Sequence, residues 1–463
     1  MNIVPGVFKS YDIRGIVPTE INAENVYQIA QAILHFYHKK IGATDITIVT
    51  GHDMRISAPE LYPILKKALI DGGAHVLDIG LVSTPTFYFS VLHLKAHAGI
   101  QLTASHNPPQ YSGMKFVVRE GDNVCKIGGN SGMEEVKQNA LDGVKVSFEG
   151  GSEEKVEGVI QDELQNAYKL FPKEGIKPLK VVADAANAMA ATYIDALFKE
   201  LPCELVKMNF ELDGNFPAHQ PDPLVFENYS ELYKRVVEEK ADLGLAPDGD
   251  GDRMFFVDEK GQMIPGSMIT ALVAKELLKK YPGRKILYDI RYTMTPKKVI
   301  EEMGGISGIT RVGHAFITKQ LQEEKAIFGG ESSGHMFFEA TGGAESQVAV
   351  ILIVLQAITE SGKPFSELIE ELRRSVESGE FNFKTDKSKD IIEELRETYS
   401  DAEVSDLDGV SIEYPTWRFN VRTSNTEPLL RLNLEAENQE IVNEKLEEVK
   451  QIILKHGAEP HAH

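Results

Sequence analysis

The sequence is short of cations and of cysteine. Its 463 residues include 49 Lys and Arg against 70 Asp and Glu, a formal net charge of -21. Nucleic acids and anionic membranes are bound through an excess of Lys and Arg, so we expect neither as a partner. The two cysteines, Cys125 and Cys203, are far apart and form no metal or redox motif. They indicate reduced thiols in a cytoplasmic protein.

Long apolar segments are missing as well. Residues 1–15 lack the apolar core of a secretion signal. The longest apolar run, residues 348–355, is much shorter than the roughly 20 residues that a membrane-spanning helix needs. This run predicts a buried helix face, and the protein is expected to be cytoplasmic without a membrane partner.

Several common catalytic and nucleotide-binding motifs are absent. The sequence contains no GxxxxGK[ST] loop, no GxGxxG fingerprint and no HExxH helix. It also lacks the glycine-flanked serine of an α/β-hydrolase. Residues 128–132 are rich in glycine but have the wrong spacing for a phosphate loop, and they predict a flexible loop.

The first third of the chain alternates between helical and strand-like patterns. Asn22 can cap an amphipathic helix, and Ser57 can begin a second one that stops near Gly72. Strand-like runs lie at 46–50, 75–79 and 99–102. This alternation favours a sheet with helices on both faces.

The same pattern recurs further along the chain, which is too long for one hydrophobic core. Strand-like runs at 180–183 and 285–288 each lead into an aspartate, as the run at 46–53 does. From Phe381 onward strands cluster and a final amphipathic helix follows. The predicted fold is α/β, with three related α/β sandwich domains plus a smaller C-terminal α+β domain around a central cleft. The expected domains are 1–150, 151–257, 258–372 and 373–463, with joints at 152–157 and 258–262.

One acidic motif predicts a metal site. In Asp248-Gly249-Asp250-Gly251-Asp252-Arg253 three carboxylates alternate with residues that permit a tight backbone path. A solvated acidic turn is the simpler reading of such a motif, but strand-like runs on both sides favour a metal. A helix–loop–helix calcium site is excluded because its sixth place requires glycine and here is Arg253. Three protein ligands leave the shell open, which suits magnesium and a phosphate oxygen.

A candidate nucleophile lies in Thr103-Ala104-Ser105-His106-Asn107-Pro108-Pro109. This segment follows the strand-like run that ends near Leu102. Ligands of open α/β sheets gather outside the carboxyl ends of the strands, so Ser105 is well placed to react. Two prolines stiffen the loop. Taken alone, the segment is better explained as an ordinary strand-to-turn connection, because Ser, His, Asn and Pro are common loop residues.

Two later loops have groups suited to a sugar phosphate. Residues 329–335 combine glycines with a carboxylate, hydroxyls and an imidazole, which can bond sugar hydroxyls. Residues 422–428 offer a guanidinium and hydroxyls for a phosphate dianion. A tight turn and a hairpin loop explain these segments equally well when each is taken alone. Isolated cationic candidates are Arg14, Lys115, Arg253, Arg291 and His314.

In chain order, these four loops are the serine segment, the acidic motif, the sugar loop and the phosphate loop. Together they resemble the α-D-phosphohexomutase superfamily, most closely its bacterial phosphomannomutase/phosphoglucomutase group, over essentially the whole chain. The resemblance implies that Ser105 is the phosphoserine and shares Mg²⁺ with Asp248, Asp250 and Asp252. The implied catalytic residues are Ser105, His106, Lys115, Arg14 and Arg253. The implied substrate-binding residues are Arg253, Arg291, His314, Glu331, Ser333, His335, Arg422, Ser424, Asn425 and Thr426. Many relatives have Lys where this chain has Arg291.

The resemblance also implies an activity. A phosphohexomutase interconverts hexose 1-phosphate and hexose 6-phosphate, here of mannose or glucose, through a hexose 1,6-bisphosphate. Its partner is a small phosphosugar, and we expect a monomer or weak homo-oligomer. Lys115 or His106 is the candidate general base, and a hinge near 378–381 is expected to let the fourth domain open and close.

Three alternatives remain at this stage. A phosphoglucosamine mutase tends to have Gln in the sugar loop and Gly in the phosphate loop, where this chain has Ser332 and Asn425. A phosphosugar phosphatase would pass the same phosphoryl group to water. A non-catalytic phosphosugar binder is disfavoured because Ser105 and the three aspartates are all present.

Overall fold

The computed structural model describes residues 3–423 and 429–461. The chain divides into two compact units. The first unit comprises Met1–Ile264 and Gly334–Ser366, and the second comprises Pro265–Ser333 and Glu367–His463.

The first sheet has the strand order β1-β5-β4-β2-β3-β7, and β6 pairs with β5. Strands β2, β3 and β4 are parallel, so β2 and β4 end at the same edge of the sheet. The elements of this region are β1 (Ile13–Ile16), α1 (Ala23–Ile41), β2 (Thr47–His52), α2 (Ala58–Asp71), β3 (His75–Leu81), α3 (Thr84–His93), β4 (Ala98–Leu102), β5 (Tyr111–Glu120), β6 (Asn123–Lys126), α4 (Glu134–Leu141) and β7 (Ser152–Lys155).

The predicted helix boundaries of this region are confirmed. Asn22 caps α1, and its side chain accepts a hydrogen bond of 3.0 Å from the backbone N–H of Asn25. Helix α2 begins after Ser57 and ends at Gly72. The start of α1 follows from local chemistry because a capping side chain satisfies a backbone donor that the helix itself leaves unpaired. The Ser57 side chain makes no such bond within the described residues, and α2 instead begins with a proline in its first turn.

The second sheet has the strand order β12-β11-β10-β8-β9. Strands β10 and β11 form an antiparallel pair, and the acidic motif connects them. The elements are α5 (Val159–Leu170), β8 (Lys180–Asp184), α6 (Ala190–Phe198), β9 (Glu204–Met208), α7 (Ser230–Glu239), β10 (Leu243–Pro247), β11 (Met254–Asp258) and β12 (Met263–Ile264).

The third region contributes to both compact units. In the second unit, β13 lies parallel between β14 and β15. In the first unit, β16 and β17 are antiparallel. The elements are α8 (Gly266–Lys280), β13 (Lys285–Asp289), α9 (Met294–Glu302), β14 (Ile306–Thr310), α10 (His314–Glu323), β15 (Phe328–Gly330), β16 (Met336–Phe338), β17 (Ala344–Glu345), α11 (Gln347–Ser361) and α12 (Phe365–Leu372). The apolar run 348–355 lies in α11 and is buried on every side of the helix.

The last region is an antiparallel sheet with two helices, as the segregated pattern predicts. Its strand order is β19-β20-β21-β22-β18-β23. The elements are β18 (Val376–Lys384), α13 (Ser388–Thr398), β19 (Glu403–Ser405), β20 (Val410–Glu413), β21 (Trp417–Thr423), β22 (Leu429–Ala436), α14 (Gln439–Lys455) and β23 (Glu459–His461).

Three segments expected to be irregular are ordered elements instead. The glycine-rich stretch forms a helical turn, Gly129–Met133, in which the Ser131 hydroxyl accepts a 2.6 Å hydrogen bond from the Gly128 N–H. The first expected joint contains β7, which pairs with β3. The expected hinge lies inside β18, where the pairing with β22 shifts between Glu377 and Glu380. These segments therefore belong to regular structure, while the boundaries between the four expected domains stay predictions.

Among the described residues no single helix combines the length and apolar character needed to cross a membrane. Helices α11 and α12 satisfy both criteria only when taken together, and a bend of 95° separates them.

Candidate active site

Ser105 lies in the loop after β4 and faces the acidic motif. Its hydroxyl donates a 3.0 Å hydrogen bond to Oδ2 of Asp248, 143 residues later in the sequence. The same hydroxyl lies 3.2 Å from Nδ1 of His106. Only 3% of the Ser105 surface is exposed. The structure thus joins the predicted nucleophile to the predicted metal loop within one compact unit.

The backbone of Ser105 is held in an uncommon conformation. Its φ is +50°, in the left-handed region that residues with a Cβ rarely adopt. The Thr103 hydroxyl accepts a 3.0 Å hydrogen bond from the Ser105 N–H. The Asn107 N–H closes a turn on the carbonyl of Ala104 at 3.0 Å. Such strain persists where surrounding contacts over-determine the conformation, and it is frequent at active sites.

The acidic motif needs a glycine at position 249 because its backbone there lies against the serine loop, residues 103–110. A Cβ at this position would lie 2.4 Å from the carbonyl oxygen of Ser105. Real side chains essentially never approach that closely. Glycine therefore permits the close approach of the two loops that brings Asp248 to Ser105.

The three aspartates of the motif are buried and differ in their partners. Asp248 accepts hydrogen bonds from the N–H groups of Gly251 and Arg253, each at 3.1 Å, and from Nε of Arg253 at 3.0 Å. Nζ of Lys115 donates to Oδ2 of Asp250 at 2.6 Å and also to Oδ2 of Asp252. The motif is thus bound to its own backbone on one side and to a lysine of β5 on the other.

This acidic cluster fits a hard divalent cation. One carboxylate oxygen from each of Asp248, Asp250 and Asp252 lies within 4.8 Å of the other two. Within the described part of the chain, Oδ1 of Asp250 and Oδ1 of Asp252 are buried without a hydrogen-bond partner. Buried carboxylate oxygens of this kind are strongly penalised unless a charge or donor satisfies them, and oxygen ligands are what magnesium and calcium take.

Burial and neighbouring charges together determine the pKa values of the cluster. It raises the pKa of Asp248 above its ordinary value, although the charge of Arg253 opposes this. Burial acts in the same direction on Asp252, but Lys115 and His335 outweigh it and lower the pKa of that carboxyl. The cluster is therefore an anionic site whose repulsion a bound cation would relieve.

The two candidate bases differ in protonation. Burial alone would lower the pKa of Lys115, but the charges of Asp250 and Asp252 raise it well above its ordinary value. Burial and the charges of Arg253 and Arg14 lower the pKa of His106 well below its ordinary value. Lys115 is thus a charged donor, opposite to what a base requires, and His106 is a neutral imidazole.

The predicted arginines of this unit are each paired with an aspartate. Nε of Arg14 donates to Oδ2 of Asp12 at 2.7 Å, and its guanidinium also reaches the side chain of Asn107. Arg253 bonds Asp248, and its Nη1 lies 3.4 Å from Oδ1 of Asp222. Both guanidiniums therefore stand next to the serine loop or the acidic motif.

A second layer of buried charge lies behind Asp252. Nδ1 of His335 is 3.7 Å from Oδ1 of Asp252 and 3.3 Å from Oε1 of Glu345. Lys126 pairs with the same Glu345 oxygen. Burial would raise the pKa of Glu345, but Lys126 and His335 lower it to about 2. The structure thus places His335 against this charged layer.

In the second unit, three predicted sugar-binding residues are brought together. Nη2 of Arg291 lies 2.7 Å from Oδ2 of Asp289 and 3.3 Å from the Ser333 hydroxyl. That hydroxyl donates to Oε2 of Glu331 at 3.3 Å. Oε1 of Glu331 accepts a 2.7 Å hydrogen bond from the N–H of Gly313. Because Gly313 precedes α10, this bond connects Glu331 to the turn where His314 begins the helix.

Arg422 lies at the end of β21 with its side chain almost fully buried. Its Nη2 donates to Oε2 of Glu380 at 2.9 Å. Burial lowers the pKa of Arg422, and the nearby charges of Arg291 and Arg431 act in the same direction. The rest of the predicted phosphate loop, Ser424, Asn425 and Thr426, lies outside the described residues.

Sequence reasoning missed two buried residues that organise the site. Arg55 donates hydrogen bonds to the serine loop, including one of 2.8 Å to the Ser105 carbonyl. Thr84 begins α3, and its hydroxyl donates to Oδ2 of Asp250 at 2.6 Å. The signal for Arg55 was the spacing Asp-x-Arg, which follows a strand both at Asp53 and at Asp289. Nothing in the sequence near Thr84 indicated its role.

Comparison with known proteins gives a consistent result. Four domain models of the phosphoglucomutase/phosphomannomutase family match in order: alpha/beta/alpha domain I at 5–127, domain II at 161–261, domain III at 265–375 and the C-terminal domain at 380–452. The chain is 37% identical over 458 residues to a phosphomannomutase of Vibrio cholerae, which covers 97% of this chain and 98% of that protein. It is 38% identical over 442 residues to a phosphomannomutase of Escherichia coli K12, covering 93% and 94%.

A solved structure agrees with these relatives. A phosphoglucomutase/phosphomannomutase family protein from Burkholderia thailandensis superposes with a TM-score of 0.89 at 30% identity. The match covers 99% of this chain and 100% of that one.

The fold and these similarities define the class of the protein, which is a phosphohexomutase. Enzymes of this class are isomerases that transfer a phosphoryl group. The chain belongs to the phosphoglucomutase/phosphomannomutase family. The resemblance and the fold class that the four loops predicted are thereby confirmed.

Proposed function

We propose that the protein moves a phosphoryl group between the C1 and C6 oxygens of a hexose phosphate through a phosphorylated Ser105. Mannose and glucose phosphates are the proposed substrates, with a hexose 1,6-bisphosphate as the intermediate. The observation that supports this is the 3.0 Å hydrogen bond from the Ser105 hydroxyl to Asp248. The two neighbouring aspartates each have a buried oxygen that no described residue hydrogen-bonds.

Asp248, Asp250 and Asp252, together with Ser105, are the residues proposed to hold Mg²⁺. When bound, the ion supplies positive charge near the transferring phosphoryl group and offsets the anionic cluster. Phosphoryl transfer depends mainly on alignment and charge neutralisation, so buried cations beside the serine are the other requirement. Lys115, Arg14 and Arg253 are proposed to supply them. These local charges explain how a chain with a net charge of -21 can hold a phosphorylated anion.

The proposed transfer exchanges one phosphorus–oxygen bond for another. The bond between phosphorus and the Ser105 oxygen breaks while a free sugar hydroxyl forms the new bond to phosphorus. The proton leaves the sugar hydroxyl, and the released Ser105 oxygen gains one. His106, whose Nδ1 lies 3.2 Å from the Ser105 hydroxyl, is the neutral group placed to accept or pass on that proton. A second transfer in the reverse sense returns the other phosphate of the sugar to Ser105.

Recognition of the sugar is proposed to rest on the second unit and on His335. Glu331 and Ser333 would bond sugar hydroxyls, since their oxygens already lie within hydrogen-bond distance of each other. Arg291 and His314 are proposed to contact the same ligand. Arg422, with Ser424, Asn425 and Thr426, is proposed to bind the phosphate that does not react.

Replacement of the serine tests this proposal. Ser105→Ala should abolish conversion of mannose 1-phosphate and glucose 1-phosphate to the 6-phosphates in a coupled assay. Ser90→Ala, which removes another buried hydroxyl of the same unit, serves as the control because that hydroxyl donates to the Thr86 carbonyl, within its own helix. Full mutase activity in Ser105→Ala would contradict the phosphoserine scheme.

Side-by-side assays separate the alternatives. Release of inorganic phosphate in place of isomerisation would indicate a phosphosugar phosphatase. Higher kcat/KM on glucosamine phosphate than on mannose or glucose phosphate would indicate a phosphoglucosamine mutase.

A further inference from the structure

Arg55 is a buried arginine that donates four hydrogen bonds to backbone carbonyls in and beside the serine loop. Its side chain is 1% exposed. Nη2 donates to the carbonyls of Ser105 at 2.8 Å and Asn107 at 2.6 Å. Nη1 donates to the carbonyls of Pro108 at 2.8 Å and Tyr111 at 3.0 Å. One guanidinium therefore binds four carbonyls, three in the serine loop and one at the first residue of β5.

The guanidinium is itself fixed at the end of β2. Oδ2 of Asp53 lies 3.3 Å from Nε of Arg55, and Oδ1 of Asp53 accepts the Arg55 N–H at 3.1 Å. The Asp53 N–H donates to the carbonyl of Leu102 at 3.0 Å, which connects the end of β2 to the end of β4. The ring of Phe216 packs 5.4 Å from the guanidinium carbon. The loop is thus tied to two strand ends of the sheet.

We propose that Arg55 is a positioning residue that keeps Ser105 in its left-handed conformation, with the hydroxyl directed at Asp248. This inference rests on the proposed role of Ser105. A residue with a φ of +50° returns to an ordinary conformation unless both sides of it are held. The Thr103 hydroxyl holds the N–H side, and Arg55 holds the carbonyl side.

Arginine is required by this geometry, because a planar guanidinium presents five donors in a rigid fork. An ammonium group concentrates three donors on one atom and cannot reach carbonyls that spread from Ser105 to Tyr111. Arg55→Lys keeps the positive charge but removes the planar guanidinium. The variant therefore tests the positioning of the loop without changing the charge at this site.

The chain offers a matched control in Arg119. This arginine of β5 also donates to backbone carbonyls, to Ala96 at 2.7 Å, Gly121 at 2.9 Å and Lys95 at 3.4 Å. It belongs to the same sheet, and none of these carbonyls lies in the serine loop. Arg119→Lys therefore loses a comparable set of bonds elsewhere.

The experiment measures the rate at which Ser105 gains a phosphoryl group from glucose 1,6-bisphosphate, by quenched single-turnover mass spectrometry. Arg55→Lys should slow this rate at saturation by about a hundredfold, the effect that a ~1 Å misplacement can produce. The KM for the bisphosphate should match that of Arg119→Lys, and both rates are measured well below the thermal unfolding midpoint of each variant, so that each chain is fully folded. Asp53→Asn, a second variant that frees the guanidinium without removing it, should slow the same step.

The opposite results overturn the inference. They are an Arg55→Lys rate equal to that of Arg119→Lys, a rise in KM with an unchanged rate at saturation, or a loss that only follows the fraction of folded protein. If the wild-type chain gains no phosphoryl group on Ser105, both this inference and the proposed function fail. Equal rates in the two lysine variants, with wild-type Ser105 phosphorylated, overturn the inference alone.

Discussion

At the scale of single residues, the acidic motif shows how one pattern yields three different aspartates. Asp248 is satisfied by its own loop and by Arg253, whereas Asp250 and Asp252 each have one buried oxygen without a hydrogen bond among the described residues. Lys115 neutralises the other oxygen of both. The unpartnered oxygens are the ones that a cation can take, which is why we propose them as ligands of Mg²⁺.

Asp250→Asn tests this assignment at its simplest point. The change removes one anionic ligand, so Mg²⁺ affinity measured by calorimetry should fall by about tenfold or more, since residues that only orient a metal's ligands already have effects of that size. Asp195→Asn, at a half-buried carboxylate paired with Lys199 and Lys207, is the control for a lost charge. Unchanged Mg²⁺ affinity in Asp250→Asn would show that the ion binds elsewhere.

The residue scale also shows what sequence alone can predict. Asp248, Asp250 and Asp252 were found because alternating carboxylates and glycines are a local pattern. Arg55 was not singled out, because the serine-loop carbonyls that it binds lie 50 or more residues away and only the sheet brings them to it. The raised pKa of Lys115 has the same origin, since its partners Asp250 and Asp252 are remote in the sequence.

At the scale of elements, the first turn of α3 connects the acidic motif to helix α5. The Thr84 hydroxyl of this turn bonds Asp250, and the Thr86 hydroxyl donates to Oε2 of Glu163 on α5 at 2.6 Å. Burial raises the pKa of Glu163 to about 7. A carboxyl that is protonated near neutrality thus supports the helix that positions Asp250.

This buried carboxyl gives stability a defined pH dependence. Between about pH 4.5 and 7 the folded chain holds a proton that the unfolded chain has lost, so ionisation of Glu163 lowers the free energy of unfolding as the pH rises. Glu163→Gln removes this loss. Relative to wild type, the variant should gain up to about 3 kcal/mol in urea unfolding between the acid and alkaline ends of that window, at about 1.4 kcal/mol per pKa unit.

Glu154→Gln on the exposed strand β7 controls for the loss of one negative charge. A difference between Glu163→Gln and wild type that stays constant with pH would mean that Glu163 ionises as an exposed carboxyl does.

The order of elements was predictable because it rests on local periodicity and capping, as the ends of α1 show. The strand in the first expected joint was not, because β7 is a strand only through its pairing with β3, and its residues are exposed and charged. Strand patterns are read from burial on one face, and this strand has none.

At the scale of the whole molecule, the two compact units do not follow the four predicted domains. Residues 334–366 belong to the first unit, although they lie within the predicted third domain. In the second unit, the sheet that contains β21 is joined to the region after β13 by a buried pair. Arg418 donates to Oε1 of Glu435 at 3.0 Å and to the carbonyls of Ile290 at 2.9 Å and Arg291 at 3.2 Å.

This buried pair should govern the stability of the second unit. Arg418→Met leaves Glu435 buried without its cation, and removal of one partner of a buried pair is destabilising by about 3–5 kcal/mol. Thermal and urea unfolding should show this loss, and Arg396→Met, at a partly exposed pair with Asp406, should show much less. Equal stability of the two variants would mean that the pair does not join these regions.

The most direct test of transfer through Ser105 follows the phosphoryl group itself. Full-length protein with Mg²⁺ is incubated with isotopically labelled hexose 1,6-bisphosphate, and its peptides are mapped by mass spectrometry before and after addition of unlabelled hexose 1-phosphate. The phosphoserine mechanism predicts one labelled phosphoryl group, on Ser105, which then leaves with the sugar. Label on another residue, or label on Ser105 that the sugar never removes, would contradict it.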